Sequence, residues 1–328
     1  MEDLQSLVGI PRIWEKLNVV EERLLEASTA DDPYLTKIAQ HLLLAGGKRF
    51  RPLLALLAAE FGDSEDGRPV EAAVAVELIH VGSLYHDDVI DEAATRRGAT
   101  SANANWTNTV AILAGDFLMA RASEVAATHL SQESVRLLAA TYAELVEGQT
   151  RELQLTDDLT HSLDDYHQVI GGKTASLIRT SARLGAMAAE ADKKTVDALS
   201  TWAFEVGMVF QIADDALDLV ADEDAIGKPA GSDIREGTFT GPVLRAVNGP
   251  DGDRVRGLLE TGRPYSDDTV AEVIDLVKGG GHIDHALETA KTRLTIAESA
   301  LATLPKSKPK SILESLGVYL LERVDAVR

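Results

Sequence analysis

The stretch LIHVGSLYHDDVIDEAATRRG, residues 78–98, decides the fold and the chemistry that we predict for this chain. Its apolar residues recur at helical spacing and then give way to acidic ones. At about 100° per residue, a helix places His80, Asp87 and Asp91 on one face, which Glu77 extends backward. Because the other faces are apolar, the helix should be buried, and its carboxylates should line an internal site or be neutralised.

Two arginines end this stretch and add a second kind of ligand group. Divalent cations commonly neutralise clustered carboxylates, so Asp87, Asp88 and Asp91 are candidate metal ligands. Arg96 and Arg97 follow them, and guanidinium groups suit anionic oxygen atoms. Acids for a metal beside arginines for an anion predict a metal-bridged polyphosphate site.

A second acidic cluster lies in QIADDALDL, residues 211–219. A helix places Gln211, Asp214, Asp215 and Asp218 within about 100° of one another, and its remaining residues are apolar. A single DDxxD is more often a solvated helix face than a site, because short motifs match by chance. Two such clusters on two apolar helices, more than a hundred residues apart, predict a shared metal site instead.

Composition predicts one all-α domain over residues 1–328. The chain is 45% hydrophobic and only 5% aromatic, which suffices for a core and favours helix over sheet. No strand alternation of useful length and no internal repeat is evident. Residues 251–328 predict three further amphipathic segments without a readable motif. Asp116, in an otherwise apolar helix, is either a buried hydrogen-bond acceptor, which we favour, or a group that supports the metal ligands, and the role of His86 stays open.

Charge and the ends of the chain restrict the possible partners. The formal net charge of −21 argues against a general binder of nucleic acid or anionic membranes. Without cysteine there is no disulfide and no thiolate nucleophile. The first residues lack the pattern of a signal peptide, and no apolar run is long enough to span a bilayer. We therefore expect a cytoplasmic protein.

Two glycine pairs precede cations in this acidic chain. In GGKRFRP, residues 46–52, a helix end with C-terminal cations is the default interpretation, but three cations in four residues favour an anion site. Gly171-Gly172 interrupts a helical pattern at 165–189 and predicts a kink, because each internal glycine costs up to about 1 kcal/mol. Lys173 and Thr174 follow the kink. They form either a simple helix break with a solvated lysine or part of a site.

The chain resembles the all-trans polyprenyl (isoprenyl) diphosphate synthases. The resemblance is close over roughly residues 40–245, and its motifs occur in that family's order. They are GGKRFRP at 46–52, HDDVIDEAATRRG at 86–98, GDFLMARA at 115–122, KTA at 173–175, QIADDALDL at 211–219 and GKPAGSD at 227–233. It implies a single helical bundle around a central cavity, three Mg²⁺ ions per active site and a homodimer. It also implies head-to-tail condensation of isopentenyl diphosphate with geranyl, farnesyl or geranylgeranyl diphosphate.

The resemblance assigns roles residue by residue. The diphosphate of isopentenyl diphosphate would be held by Lys48, Arg51, His80 and Arg97, with Arg96 beside them. The allylic diphosphate would be held by Lys173 and Lys228, and the dipoles of Lys173, Thr174 and Gln211 would face the developing carbocation. The metals would be bound by Asp87, Asp88, Asp91, Asp214, Asp215 and Asp218. The chain departs from the family at Thr238, where a second lysine is common.

Small residues before the first acidic cluster predict a long product. In the family, bulky aromatic residues four or five positions before the first Asp stop chain growth early, whereas this chain has Gly82 and Ser83. A hepta- to decaprenyl diphosphate for quinone side chains is the main expectation, with transient membrane contact during product release. Phe at either position should shorten the product. The alternatives are a geranylgeranyl diphosphate synthase, a class I terpene cyclase and a non-catalytic subunit of a heteromeric synthase. A cyclase would not need the 46–52 site, and such subunits typically lose one acidic motif.

Overall fold

The structure is a computed structural model that describes residues 2–63, 65, 67–220 and 230–327. Within these residues nearly all regular structure is helical, which confirms the predicted all-α class. The helices up to residue 155 are α1 Glu2–Leu7, α2 Pro11–Ala27, α3 Pro33–Ala39, α4 His41–Leu44, α5 Phe50–Ala59, α6 Arg68–Ile90, α7 Ala102–Asn105, α8 Asn108–His129 and α9 Gln132–Leu155. The later helices are α10 Leu163–Ile170, a π-helix Gly171–Ala175, α11 Ser176–Ala188, α12 Lys193–Val220, α13 Ser232–Arg235, α14 Gly241–Val247, α15 Gly252–Leu259, α16 Asp267–Gly279, α17 His282–Ala302 and α18 Lys308–Asp325.

A short antiparallel hairpin follows α6. Its strands are β1 Thr95–Arg96 and β2 Ala99–Thr100, and Thr95 pairs with Thr100. Arg97 and Gly98 have φ of 55° and 75°, as a tight two-residue turn requires. The small and polar stretch from residue 98 to residue 108 contains β2 and α7. Two-residue strands are too short to show a readable alternation.

The chain divides into two compact units. Unit 1 comprises residues 1–143, 177–200 and 306–312, and unit 2 comprises 144–176, 201–305 and 313–328. The expected single domain over residues 1–328 stays a prediction. α6 lies in the core of unit 1 and packs against α2, α5 and α8. Its residues from Ala72 to Ile79 are buried, as its apolar faces predicted.

Two glycines bring α6 and α8 close together. A Cβ atom on Gly82 would lie 3.1 Å from the carbonyl oxygen of Gly115 and 3.0 Å from Cε of Met119. A Cβ atom on Gly115 would lie 2.3 Å from Nε2 of His86. Gly82 therefore faces α8, and a larger side chain there would separate the two helices.

The predicted kink at residues 171–172 of unit 2 is a π-helix. The N–H of Ser176 donates to the carbonyl of Gly171, five residues earlier. Such single π-turns are frequent at functional sites. Gly148 of α9 lets the π-helix approach, because a Cβ atom there would lie 2.4 Å from the backbone nitrogen of Lys173.

Some predicted helix boundaries were wrong. Residues 251–328 contain four helices rather than three. The break at residues 279–281 separates α16 from α17, and Gly281 adopts a φ of 70° there. Near the start of the chain, the side chain of Asp32 accepts from the N–H of Tyr34 and caps α3, which ends with Gln40 as its C-cap.

Candidate active site

The first acidic cluster contains one buried and two more accessible carboxylates. Asp88 is fully buried, and Nε of Arg96 donates to its Oδ1 at 2.6 Å. Burial raises the pKa of Asp88, and the Arg96 guanidinium opposes that rise. Asp87 is half-buried, whereas Asp91 is exposed at the end of α6, where its N–H donates to the carbonyl of Asp87. The accessible carboxylates of this cluster are therefore those of Asp87 and Asp91.

Arg96 has a partner that its sequence position did not predict. We expected this guanidinium to bind anionic substrate oxygens, but the structure directs its Nε to Asp88. Arg96 is the last residue of β1, so this contact links the hairpin to the last turn of α6. A substrate-binding role for Arg96 stays a prediction.

A buried glutamate organises the cations that follow Gly46-Gly47. Glu77 is 1% exposed, and its Oε1 lies 3.1 Å from Nη1 of Arg49 and 3.9 Å from Nη2 of Arg97. Arg49 also binds Oε1 of Glu21 through Nε at 2.5 Å. The helical stripe contained Glu77, but sequence reasoning gave it no role. In the sequence Glu77 is marked only as a lone carboxylate among apolar residues. Its partner Arg49 lies 28 positions earlier, so only the fold brings the two together.

Arg51 and His80 form the next part of this cluster. Nη1 of Arg51 lies 3.3 Å from Nε2 of His80. Burial lowers the pKa of His80 well below its usual value, with nearby arginines adding to the effect, so the ring is neutral at pH 7 and accepts from Arg51. Burial also lowers the pKa of Arg51, to about 10. Burial is the main cause of both shifts, and a bound anion would stabilise the charged form of Arg51.

The backbone of the 46–52 loop makes room for Arg97. Gly46, Gly47 and Arg49 all have positive φ, of 87°, 151° and 46°. A Cβ atom on Gly47 would lie 3.0 Å from Cζ of Arg97, so a glycine is needed there. Nη1 of Arg97 donates to the carbonyls of Leu42 and Gly46 at 3.1 and 2.5 Å. The loop is thus both a helix end and a cation cluster, and the side chain of Lys48 is exposed beside it.

In the second acidic cluster, in unit 2, neutral donors hold Asp215. The hydroxyl of Tyr166 donates to Oδ2 of Asp215 at 2.5 Å, and Nε2 of Gln211 donates to Oδ1 at 2.8 Å. Oε1 of Gln211 accepts from Oγ1 of Thr174 at 2.9 Å. Burial raises the pKa of Asp215 to about 7, with the adjacent Asp214 and Asp218 carboxylates adding to the rise.

The other two carboxylates of this cluster differ in exposure. Asp218 is 3% exposed, and its Oδ2 accepts from the N–H of Asp233 at 3.2 Å. The side chain of Asp214 is 39% exposed, and its Oδ1 lies 3.6 Å from Nη1 of Arg323 in α18. As in the first cluster, the structure turns some carboxylates inward and leaves another accessible.

Lys173 is placed by two residues of α9. Its Nζ forms an ion pair with Oε2 of Glu152, and Nε2 of Gln149 donates to the same oxygen at 3.1 Å. The lysine is therefore held in a network rather than simply solvated after a helix break. Lys228 lies outside the described residues. Thr238, at the family's second lysine position, donates its N–H to the carbonyl of Asp233.

The prediction for Asp116 was wrong. Its side chain is 63% exposed and lies 3.3 Å from Nε2 of His86, which also contacts the carbonyl of Ile112. The helical position of Asp116 faces outward, which its apolar sequence context concealed.

Among the described residues no three His, Asp or Glu side chains converge closely enough to hold a metal ion by themselves. No described helix has the length and apolar character to cross a membrane.

Comparison with known proteins confirms the resemblance. The family model described as Polyprenyl synthetase matches residues 32–277. The chain is 43% identical over 296 residues to nonaprenyl diphosphate synthase of Mycobacterium tuberculosis, covering 89% of this chain and 88% of that protein. A polyprenyl synthase from Caulobacter crescentus, solved with calcium and isoprenyl diphosphate, has a TM-score of 0.91 at 32% identity, with 98% of both chains covered.

A third relative has a different product in its name. Geranylgeranyl pyrophosphate synthase from Corynebacterium glutamicum, also solved with calcium and isoprenyl diphosphate, has a TM-score of 0.85 at 42% identity, with 96% of both chains covered. The helical fold of these structures is the expected isoprenoid synthase fold. On its fold, its motifs and the extent of these matches, the chain belongs to the polyprenyl synthetase family.

Proposed function

We propose that this protein condenses isopentenyl diphosphate head to tail with an allylic prenyl diphosphate to make a long-chain all-trans polyprenyl diphosphate. The cation cluster around Glu77 is the observation that carries this function. A cyclase needs to bind one diphosphate at its acidic motifs, whereas a condensing enzyme must also bind a second one. Arg49, Arg51 and Arg97, with neutral His80, supply a separate anion site in a family of prenyl synthases.

The accessible carboxylates fit Mg²⁺. Mg²⁺ prefers hard oxygen ligands and usually takes one or two carboxylates, completing its shell with water and substrate phosphate. We assign Asp87, Asp91 and Asp214 as direct ligands because their side chains are at least partly exposed. The inward-facing members of the two clusters, already held by protein donors, would orient these ligands. They are Asp88, Asp215 and Asp218.

Bound Mg²⁺ would neutralise the allylic diphosphate and draw charge from its ester bond as a Lewis acid. The number of ions, three per site, rests on the family resemblance. The calcium in the two solved relatives supports a hard divalent cation as the cofactor.

The residues around Glu77 would bind isopentenyl diphosphate. Lys48, Arg51 and Arg97 would contact its phosphate oxygens, and a bound anion would raise the lowered pKa values of Arg51 and Arg97. Arg49 is committed to Glu21 and Glu77, so it would position the others rather than bind the substrate. This arrangement fixes the nucleophilic double bond by its diphosphate.

The π-helix and α12 would serve the allylic substrate. Lys173 would leave its ion pair with Glu152 and bind the allylic diphosphate. Lys228 is assigned to the same diphosphate by resemblance alone. The hydrogen bond from the Thr174 hydroxyl to Oε1 of Gln211 fixes the direction of both polar groups. Oriented dipoles stabilise charge that develops in the transition state without reorganising at that moment. The hydroxyl oxygen of Thr174, whose proton points to Gln211, would present its lone pairs to the allylic cation.

Product analysis tests this function. The purified full-length chain receives Mg²⁺, labelled isopentenyl diphosphate, and geranyl, farnesyl or geranylgeranyl diphosphate in separate reactions. Polyprenyl diphosphates that disappear with EDTA are the expected result. Cyclised hydrocarbon, or no turnover without a second protein, would refute the proposed reaction. We also expect a cytoplasmic homodimer with transient membrane contact, and light scattering on the same preparation gives the oligomeric mass.

A geranylgeranyl diphosphate synthase is the second candidate, since the Corynebacterium glutamicum relative bears that name. Product length separates the two. Ser83→Phe is the sharper test of the small residues before the first acidic cluster, because Gly82 faces the backbone of α8 and Gly82→Phe would disturb helix packing. We expect Ser83→Phe to shorten the product and Ser83→Ala to leave it unchanged. A wild-type product that stops at geranylgeranyl diphosphate would select the second candidate.

A further inference from the structure

We propose that Tyr166 is a positioning residue for the condensation, acting through Asp215 and Gln211 to fix the direction of the Thr174 hydroxyl. This inference rests on the proposed function. Tyr166 belongs to none of the motifs that carry the family resemblance, and it lies seven residues before Lys173.

The Tyr166 ring is immobilised by its surroundings. It is 6% exposed, and a Cβ atom on Gly241, the first residue of α14, would lie 3.0 Å from its Cε1. The Tyr166 hydroxyl lies 2.5 Å from Oδ2 of Asp215 and donates to it. The hydroxyl therefore donates in one fixed direction, towards Asp215.

Each hydrogen bond in the chain determines the direction of the next one. When ionised, the Asp215 carboxylate can only accept, so its Oδ1 then requires the amide nitrogen of Gln211 rather than the amide oxygen. Oε1 of Gln211 must then point the other way, where it accepts from Thr174. This leaves the lone pairs of the Thr174 hydroxyl, and not its proton, for a developing cation.

Removing the Tyr166 hydroxyl would loosen this order. Asp215 would keep Gln211 as its remaining hydrogen-bond donor from this chain of four residues and could rotate about its Cβ–Cγ bond. The Gln211 amide could then occupy both flip states, and Thr174 would present its proton in part of the population. The ring of phenylalanine fills the same space, so Tyr166→Phe changes this polarity with little change in packing.

Steady-state kinetics of Tyr166→Phe test the inference. We expect kcat to fall on the order of 10-fold, as for one lost hydrogen bond at a site, with KM for isopentenyl diphosphate unchanged. Tyr265→Phe is the matched control, because its hydroxyl donates to a backbone carbonyl, that of Leu259, at 2.9 Å. This control should leave kcat unchanged. A Tyr166→Phe variant with wild-type kcat would overturn the inference.

A double-mutant cycle distinguishes positioning from a purely structural role. Thr174→Val removes the last hydroxyl of the chain at nearly constant volume. If Tyr166 acts through Thr174, adding Tyr166→Phe to Thr174→Val should lower kcat less than twofold further, because the direction of that hydroxyl no longer matters. Independent effects that multiply to about the product of the single losses would overturn the inference. A wild-type chain with no prenyl transfer would instead refute the proposed function, and the inference with it.

Discussion

The two acidic clusters have the same DDxxD spacing but different partners for their buried carboxylates. In unit 1, Asp88 is paired with the guanidinium of Arg96, whereas in unit 2 Asp215 accepts from a phenol and a primary amide. A cation compensates the charge of a buried carboxylate, but neutral donors only solvate it. Asp88 thus has a countercharge within the protein, whereas the two side-chain donors to Asp215 are neutral.

This difference assigns different duties to the buried members. The pair of Asp88 and Arg96 ties the hairpin to the end of α6, so its main contribution should be to stability. The neutral partners of Asp215 leave its pKa raised to about 7 and fix the direction of an amide dipole. Its main contributions should be to catalysis and to the pH dependence of folding. The accessible members are proposed to be metal ligands. They are Asp87 and Asp91 in the first cluster and Asp214 in the second.

The largest effect is expected for the accessible carboxylates. Asp87→Ala or Asp214→Ala removes a proposed metal ligand and should lower kcat on the order of 10³-fold, as loss of a preorganised electrostatic group does. Thermal unfolding without Mg²⁺ should change little, because these side chains are partly exposed. Kinetics and melting curves of the same preparations check both statements. A large loss of stability in either variant would show that the residue supports the fold, as the buried carboxylates do, and would contradict its assignment as an accessible ligand.

The next effect concerns the ion pair of the first cluster. Arg96→Gln would leave Asp88 buried without its countercharge, at a cost of about 3 kcal/mol. Urea unfolding monitored by circular dichroism measures the change. The double variant Arg96→Gln with Asp88→Asn should recover most of the loss, because no uncompensated charge remains. An Arg96→Gln variant as stable as the wild type would show that Asp88, like Asp215, does not need a cationic partner for stability.

Sequence patterns identified the helices and the acidic motifs because these depend on neighbours along the chain. The 78–98 stretch and the 211–219 stretch showed their helical periodicity and their acidic positions directly. The glycine pair at 171–172 also predicted a break, which the structure shows as a π-helix. All these signals arise within about one or two helical turns.

Contacts between residues that are far apart in the sequence could not be predicted from these local patterns. Arg49 meets Glu77 across 28 positions, and Tyr166 meets Asp215 across 49. Helical periodicity gives the face of each residue but not the side chain that lies opposite it. For this reason the sequence named all six aspartates as candidate metal ligands, whereas the fold separates buried from accessible ones. Gly82 shows the same limit, since the sequence did not indicate that this residue faces α8.

A smaller effect is expected in the pH dependence of the second cluster without metal. Because the pKa of Asp215 is raised on folding, the folded state binds more protons, and this contribution to stability is lost as pH rises through about 7. Between pH 6 and 8 the loss should be about 1.4 kcal/mol, or roughly 2–4 °C in Tm. Asp215→Asn cannot ionise, so its Tm in EDTA should fall less than that of the wild type over this range. Parallel pH profiles of the two proteins would contradict the raised pKa.

The smallest effect is expected for the partner of an accessible carboxylate. Arg323 lies 3.6 Å from Asp214, and both side chains are partly exposed. Partly exposed ion pairs of this kind contribute about 0.2–1 kcal/mol, so Arg323→Gln should lower Tm only slightly. Arg96→Gln is the matched comparison, since it removes the same charge from a pair whose carboxylate is fully buried. If Arg323→Gln were as costly, Asp214 would need its own countercharge as Asp88 does. A small effect would instead support Asp214 as the carboxylate whose countercharge is the metal that it binds.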